Sequence, residues 1–264
     1  MSLGVSRMAG KLRLKFDNLP LVEAVVRTSF NGPKALSYQM VNAVARELQH
    51  SFPRLDEATQ FEVAPGRAGT QVEIGPAYLP AAVYTGHTSG LSVSLQPDVI
   101  VTRWAKHPGL EQADYPRYES LRDALWEAVE AFRKASGDEY PGIAVVNMSY
   151  VNFIRVPNPA AVVRDYFSND AQVGIMGDVK QVRKLEAAWN GADDVDVRFA
   201  LDQASAKLPE GVTPGYRLTT AAGLRLGEST DAKSGLDRVH EVLQEFFVHL
   251  ISERAKREWK LQGA

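Results

Sequence analysis

A chain of 264 residues, 45% hydrophobic and 23% charged, carries enough apolar material for a well-filled core, in one large domain or two small ones. Its formal net charge of −2 removes the sequence-independent electrostatic attraction for nucleic acid. It has no cysteine, which excludes disulfides, thiolate metal sites, a cysteine nucleophile and iron–sulfur ligation, and fits a reducing compartment.

The N-terminal residues MSLGVSRMAGKLRLKF lack an apolar signal-peptide core, and nowhere is there an apolar run of the ~18 residues that a membrane span needs. The expectation is a cytoplasmic protein with no membrane partner, and with residues 1–10 as a mobile N-terminus. Residues 11–16, KLRLKF, alternate charged and apolar side chains, which predicts a strand with Lys11, Arg13 and Lys15 facing water, as suits a sheet edge. LVEAVVRTSF (21–30) is rich in β-branched residues and stops at Asn31-Gly32-Pro33. A helix follows from the capping residue Ser37 to Gln49, with Met40, Val41, Val44 and Leu48 on one face. Strand-like runs are expected at 61–63, extending towards 74, and at 91–95 and 99–104. Tyr118, Leu121, Leu125, Val129 and Phe132 then recur at three- and four-residue steps, predicting a helix over 118–135 closed by Ser136-Gly137.

The second half (138–264) follows the plan of the first (11–137). AVVNMSY (144–150) matches AVVRTSF (24–30) at four of seven positions, 120 residues on. The apolar stripe of the first long helix falls on Leu236, Val239, Leu243, Phe247 and Leu250 at a constant offset of 118. Between these anchors the pattern predicts helices near 160–167 and 179–189 and strands near 195–201 and 216–226. The fold class expected is α+β, a tandem duplication of a strand–helix–three strands–long helix unit, packed as one body with helix-grip-like antiparallel sheets against two long helices. Two unrelated α+β halves are the alternative.

LDRVHEVLQEFFVHLISERAKREW (236–259) reads as one helix carrying two of the five histidines. His240-Glu241 lacks the second zinc ligand of a metalloprotease helix, because the position four residues on is Gln244. His249, nine residues on at ~100° each, points to the opposite side. Leu236, Val239, Leu243, Phe246, Phe247, Leu250 and Ile251 instead form a stripe to bury, and Lys256, Arg257 and Lys260 suit the helix end. The nucleophile-elbow, Walker, dinucleotide and EF-hand templates all fail. A nuclease-like set could be assembled from Asp98 and Asp178-Val179-Lys180, with Asp194 and Asp196 as further carboxylates, but Asp231-Ala232-Lys233 repeats the D-x-K form. Gly66-Arg67-Ala68-Gly69 reads as a turn rather than a phosphate loop. No metal and no cofactor are expected.

Pro20-Leu21-Val22-Glu23-Ala24, Tyr150-Val151-Asn152-Phe153-Ile154, and Leu236-Asp237-x-x-His240 leading to Phe246, Phe247, Ile251 and Trp259 occur in that order over nearly the whole chain. Together they resemble a sporadically distributed family of uncharacterised prokaryotic proteins. The resemblance brings no established activity; patchy distribution implies an accessory, possible defence-system role.

Glu23 is placed on one strand face with Leu21 and Val25, Asn152 on one with Tyr150 and Ile154, and Asp237 in the first turn of the last helix. Glu23, Asn152, Asp237 and His240 are then either caps and buried hydrogen-bonding groups or a ligand-binding or catalytic cluster. Trp126 and Trp259 are candidate interface anchors, with burial in the core as the alternative. The leading functional expectation is a non-enzymatic binding or assembly protein engaging a protein partner or itself. The alternative is a small-molecule-binding protein or hydrolase with a site between the two halves.

Overall fold

The structure, a computed structural model, describes residues 15–16, 19–58, 81–88, 90–106, 115–155, 165–168, 184–190, 194–208, 211–227 and 230–262. Its elements are, in chain order, β1 (Lys15–Phe16), β2 (Leu21–Phe30), α1 (Tyr38–Leu48), β3 (Arg54–Ala58), β4 (Ala81–Thr85), β5 (Leu91–Leu95), β6 (Val99–Ala105) and α2 (Arg117–Ser136). After a 3₁₀ turn come β7 (Ile143–Arg155), β8 (Lys184–Asn190), β9 (Val195–Leu208), β10 (Gly211–Arg225), α3 (Ala232–Leu250), α4 (Glu253–Glu258) and β11 (Leu261–Gln262). The fold is α+β. Among the described residues, nine strands form one antiparallel sheet in the order β3-β4-β5-β6-β2-β7-β10-β9-β8, and β1 pairs separately with β11.

Alternation along each strand assigns every side chain to one of two faces. Leu55, Tyr84, Val93, Thr102, Val26, Met148, Ala222, Val197 and Trp189 form one transverse row across all nine strands. Seven of these nine are buried or nearly so, and the helices lie over them: Val41, Val44 and Leu48 of α1, Leu121, Leu125 and Phe132 of α2, and Leu236, Val239 and Leu243 of α3 share their apolar cluster. A second cluster at the other end of α3 joins Phe247 and Leu250 to Ile154, Tyr216, Leu218, Ala255 and Trp259. The adjacent row, Asp56, Val83, Ser94, Val101, Arg27, Asn147, Gly223, Asp196 and Asn190, points away from all of these.

Ser37 caps α1 as expected, accepting from the Met40 N–H at 3.2 Å. The expected strands at 91–95 and 99–104 and the helix at 118–135 are observed with small changes of boundary, whereas β3 and β4 were not anticipated. The strand expected over 61–74 lies outside the described residues, as do 11–14 of KLRLKF, 160–164, Asp178 and Gly66–Gly69. Two expectations are corrected. Residues 184–189 of the helix expected over 179–189 lie in strand β8, with Lys184 and Glu186 exposed and Leu185 and Ala187 half-buried in alternation; its Lys, Glu and Ala content is helix-forming, and pairing with β9 overrides it.

The single helix expected over 236–259 is broken. Ile251 is extended and bridges Phe167, the Ser252 N–H bonds the Tyr166 carbonyl, and Ser252 then caps α4 through the Ala255 N–H. Residues 165–168 thus take up the backbone groups at the break, which periodicity along the helix cannot reveal.

Candidate functional site

Helix α2 runs with its first turn beside the second turn of α3, above the central strands β2 and β7, and Tyr118, Arg122, Asp237, His240 and Gln244 meet in this seam. Tyr118 is buried in the α2 stripe, and its hydroxyl donates to Asp237 Oδ1 at 2.7 Å. Arg122, one turn on, reaches the same oxygen at 3.2 Å and also holds Asp123. The His240 ring stacks on Tyr118 with centroids 3.7 Å apart and an interplanar angle of 15°. Gln244 Nε2 lies 2.9 Å from His240 Nε2, so the amide donates and the ring nitrogen accepts, as in a neutral imidazole protonated on Nδ1. The residue standing where a second zinc ligand would be therefore occupies the first histidine instead.

The electrostatics follow from enclosure. Burial lowers the His240 pKa to about 4; Arg122 acts in the same sense, and Glu119 and Asp237 oppose it. Burial likewise pushes the Tyr118 phenol far above its ordinary value, and its bond to Asp237 adds to this. Tyr115 and Tyr150, whose hydroxyls are 3.4 Å apart, are raised mainly by burial.

Asp237 is not in a first turn. Helix α3 begins at Ala232, where Asp231 is the cap, accepting from the Ser234 N–H at 2.9 Å and the Ser234 hydroxyl at 2.8 Å. These bonds, the backbone one foremost, hold the Asp231 carboxyl below its ordinary range. The helix can lie so close to the sheet because position 235 is glycine: a Cβ there would meet Leu226 Cδ2 at 2.8 Å. The seam opens outward as a shallow cleft of about 460 Å³ lined by Arg122, Asp123, Trp126, Lys233 and Asp237.

The four polar residues do not converge. A bulge in β2 between Leu21 and Glu23 turns Leu21 to the covered face and leaves Glu23 on the open one, so the two do not share a face as expected. Glu23 there accepts from Arg103 Nε at 2.6 Å. Asn152 does lie on the covered face, 0% exposed, with neither amide atom hydrogen-bonded. Asp237 and His240 meet in the seam. Among the described residues no group of three or more metal-ligating side chains occurs.

Comparison of the sequence with models of protein families and with curated proteins returns no match. The site is therefore defined by its own geometry. Trp126 and Trp259 are corrected: they are 7% and 3% exposed, Trp126 beneath the Lys233 ammonium and Trp259 stacked between Tyr166 and Phe247. The exposed tryptophan is Trp189, at 47%, held against Phe199 and Phe246. Its signal was present in the sequence as the last apolar position of the alternating run Leu185, Ala187, Trp189.

Asn152 invites a direct measurement. A buried amide with no partner costs about 1–3 kcal/mol, so an apolar replacement of similar volume recovers part of that. Asn152→Leu is expected to raise stability by about 1 kcal/mol in urea unfolding. A loss of 1 kcal/mol or more would show the amide is satisfied in solution.

Proposed function

We propose that this is a cytoplasmic binding or assembly protein of accessory, defence-associated role, as the patchy distribution of the family it resembles suggests, acting by surface contact with a protein partner or a second copy. The observation that carries this reading is the open face of the sheet. All of the described helices pack on the other face, and Val25, Val83, Val101, Val145 and Val151 remain only partly buried among Ser29, Ser92, Ser94 and Ser149. Such a broad, half-apolar surface suits macromolecular contact. In the seam, by contrast, each perturbed group is engaged with a neighbour: Tyr118 with Asp237, His240 with Gln244 and Tyr118.

We infer further that the chain is a tandem duplication. β2 and β7 are the central pair of the sheet, and each leads to a meander that returns to its side: β6, β5 and β4 flank β2, while β10, β9 and β8 flank β7. Arg27 pairs with Asn147, its own counterpart at the offset of 120, as strands related by a two-fold axis would.

The test is turnover against contact. Purified protein is expected to show no hydrolase or nuclease turnover that depends on Glu23, His240 or Asp178. His240→Ala should instead destabilise the fold by about 1–3 kcal/mol, through loss of a buried hydrogen bond. Saturable turnover lost in Glu23→Ala or His240→Ala, or metal-dependent nucleic-acid cleavage lost in Asp178→Ala, would overturn the reading. A second reading, a small-molecule binder, is favoured by the cleft beside Arg122 and Lys233.

A further inference from the structure

We propose that two copies of this chain join edge to edge through β8, forming one continuous sheet across a two-fold axis at Ala187; this rests on the contact reading above and names a second copy as the partner. Among the described residues, β8 is one of the two edges of the sheet. Edge strands in native proteins are normally blunted by proline, bulges, mid-strand lysine or shortness, because an unpaired edge templates another strand. Among the described residues, β8 has neither proline nor bulge, and its lysine stands at its first position. It reads KLEAAWN, has no proline or glycine, and pairs with β9 through seven consecutive residues without a bulge. Its only charges, Lys184 and Glu186, neutralise each other at 2.8 Å.

The sequence of the edge selects the partner and the register. In antiparallel pairing about Ala187, all seven residues of each copy find a partner, Leu185 faces the other copy's Trp189, Lys184 faces Asn190 and Glu186 faces Ala188. A shift of the axis to Glu186 opposes two like carboxylates, which is destabilising, and a shift to Ala188 leaves Lys184 and Leu185 without partners in the strand. Trp189 supplies the anchor: it is exposed and its ring is already held by Phe199 and Phe246, so little conformational freedom is lost on docking. Pairing of the two edges extends the covered face, with the Trp189–Leu185 contacts lying next to the Phe199 cluster of each copy.

The register makes an asymmetric demand at Ala188, which is exposed and whose neighbour within the chain is Arg198 on β9. Glutamate at 188 meets Arg198 favourably within one copy and Glu186 unfavourably across the axis. Lysine does the reverse. Sedimentation equilibrium on the full chain, a 29.0 kDa monomer, is expected to show a dimer whose dissociation constant rises several-fold, about 2–10, in Ala188→Glu and falls or holds in Ala188→Lys, two cross-strand pairs being changed at once. Thermal stability of the dissociated chains should move the opposite way. Trp189→Ala should weaken the dimer at least tenfold.

A protein that remains monomeric at 100 μM overturns the proposal. So does a dimer indifferent to both Ala188 variants and Trp189→Ala. A dimer broken instead by Val101→Arg on the open face would also overturn it, while leaving the contact reading standing. Turnover dependent on His240 would remove the contact reading alone.

Discussion

Tyr118→Ala is expected to cost about 3–5 kcal/mol, the usual range for deleting a buried aromatic side chain. The ring is sandwiched in the seam. It fills the α2 stripe, carries the His240 imidazole on its face, and lies 5.8 Å from the Arg122 guanidinium carbon. Its hydroxyl is a smaller contributor, because the acceptor Asp237 is 46% exposed and shared with Arg122. Tyr118→Phe should therefore cost only about 1 kcal/mol. Urea unfolding of the two variants separates ring from hydroxyl. Equal losses in both would mean that the hydrogen bond, not the packing, closes the seam. An independent readout comes from His240, since its neutral state depends on cover by Tyr118. In Tyr118→Ala its imidazole should titrate well above about 4, moving towards the ordinary histidine range.

The seam also shows what a single sequence can and cannot disclose. The α2 stripe and the first part of α3 were legible because burial at three- and four-residue steps is a local property. Ser37 was legible as a cap for the same reason. What was not legible depends on partners distant in sequence. The break at Ile251–Ser252 is made by Tyr166 and Phe167, some eighty residues away by count along the chain, so no periodicity within 236–259 carries it. β8 is made a strand by β9, against the helix-forming character of Lys184, Glu186, Ala187 and Ala188. The start of α3 was placed at Leu236 because the stripe begins there, although Asp231, with Ser234 three residues on, is a capping pattern in its own right.

The same division applies to the polar residues. Asp237 and His240 could be read as neighbours because they are three apart on one helix. Glu23 could not be separated from them, since its placement turns on the bulge after Leu21, and a bulge reverses the face of every residue beyond it. Trp126 reads as exposed because it lies off the stripe of its helix, and Trp259 because it lies near a free end. Trp126 is covered in the seam and Trp259 by the second apolar cluster, so both needed knowledge of which elements pack together. Tyr118 and Arg122 were missed as site residues because a tyrosine in an apolar stripe reads as core; its polar end becomes informative only when Asp237 of the other helix is brought to 2.7 Å.

Acid sensitivity should trace to His240. Its folded-state pKa of about 4 lies below the unfolded value of 6.5, so between these two values the unfolded chain binds a proton that the folded chain refuses. Stability then rises with pH across this window, is complete above about pH 7, and is lost progressively as pH falls from about 6.5 to 4. The full difference corresponds to about 3 kcal/mol, with roughly half of it lost by pH 5.5 to 5. The physical cause is burial: a charged imidazolium here would lose its water, and protonating Nε2 would set two donors, the ring N–H and the Gln244 amide, against each other. Glu119 and Asp237 favour the charged ring, and Arg122 disfavours it. They do not outweigh the loss of water. His240→Phe keeps an aromatic ring for the stack and has no proton to bind. Urea unfolding of both proteins at pH 7.5, 6.5, 5.5 and 4.5 should give curves that diverge on acidification, the wild-type chain losing about 2–3 kcal/mol more than the variant. Parallel curves would show that His240 is solvated and that the seam is looser than its geometry implies. The carboxylates, common to both proteins, cancel in this difference, which leaves the single imidazole as the group that decides the outcome.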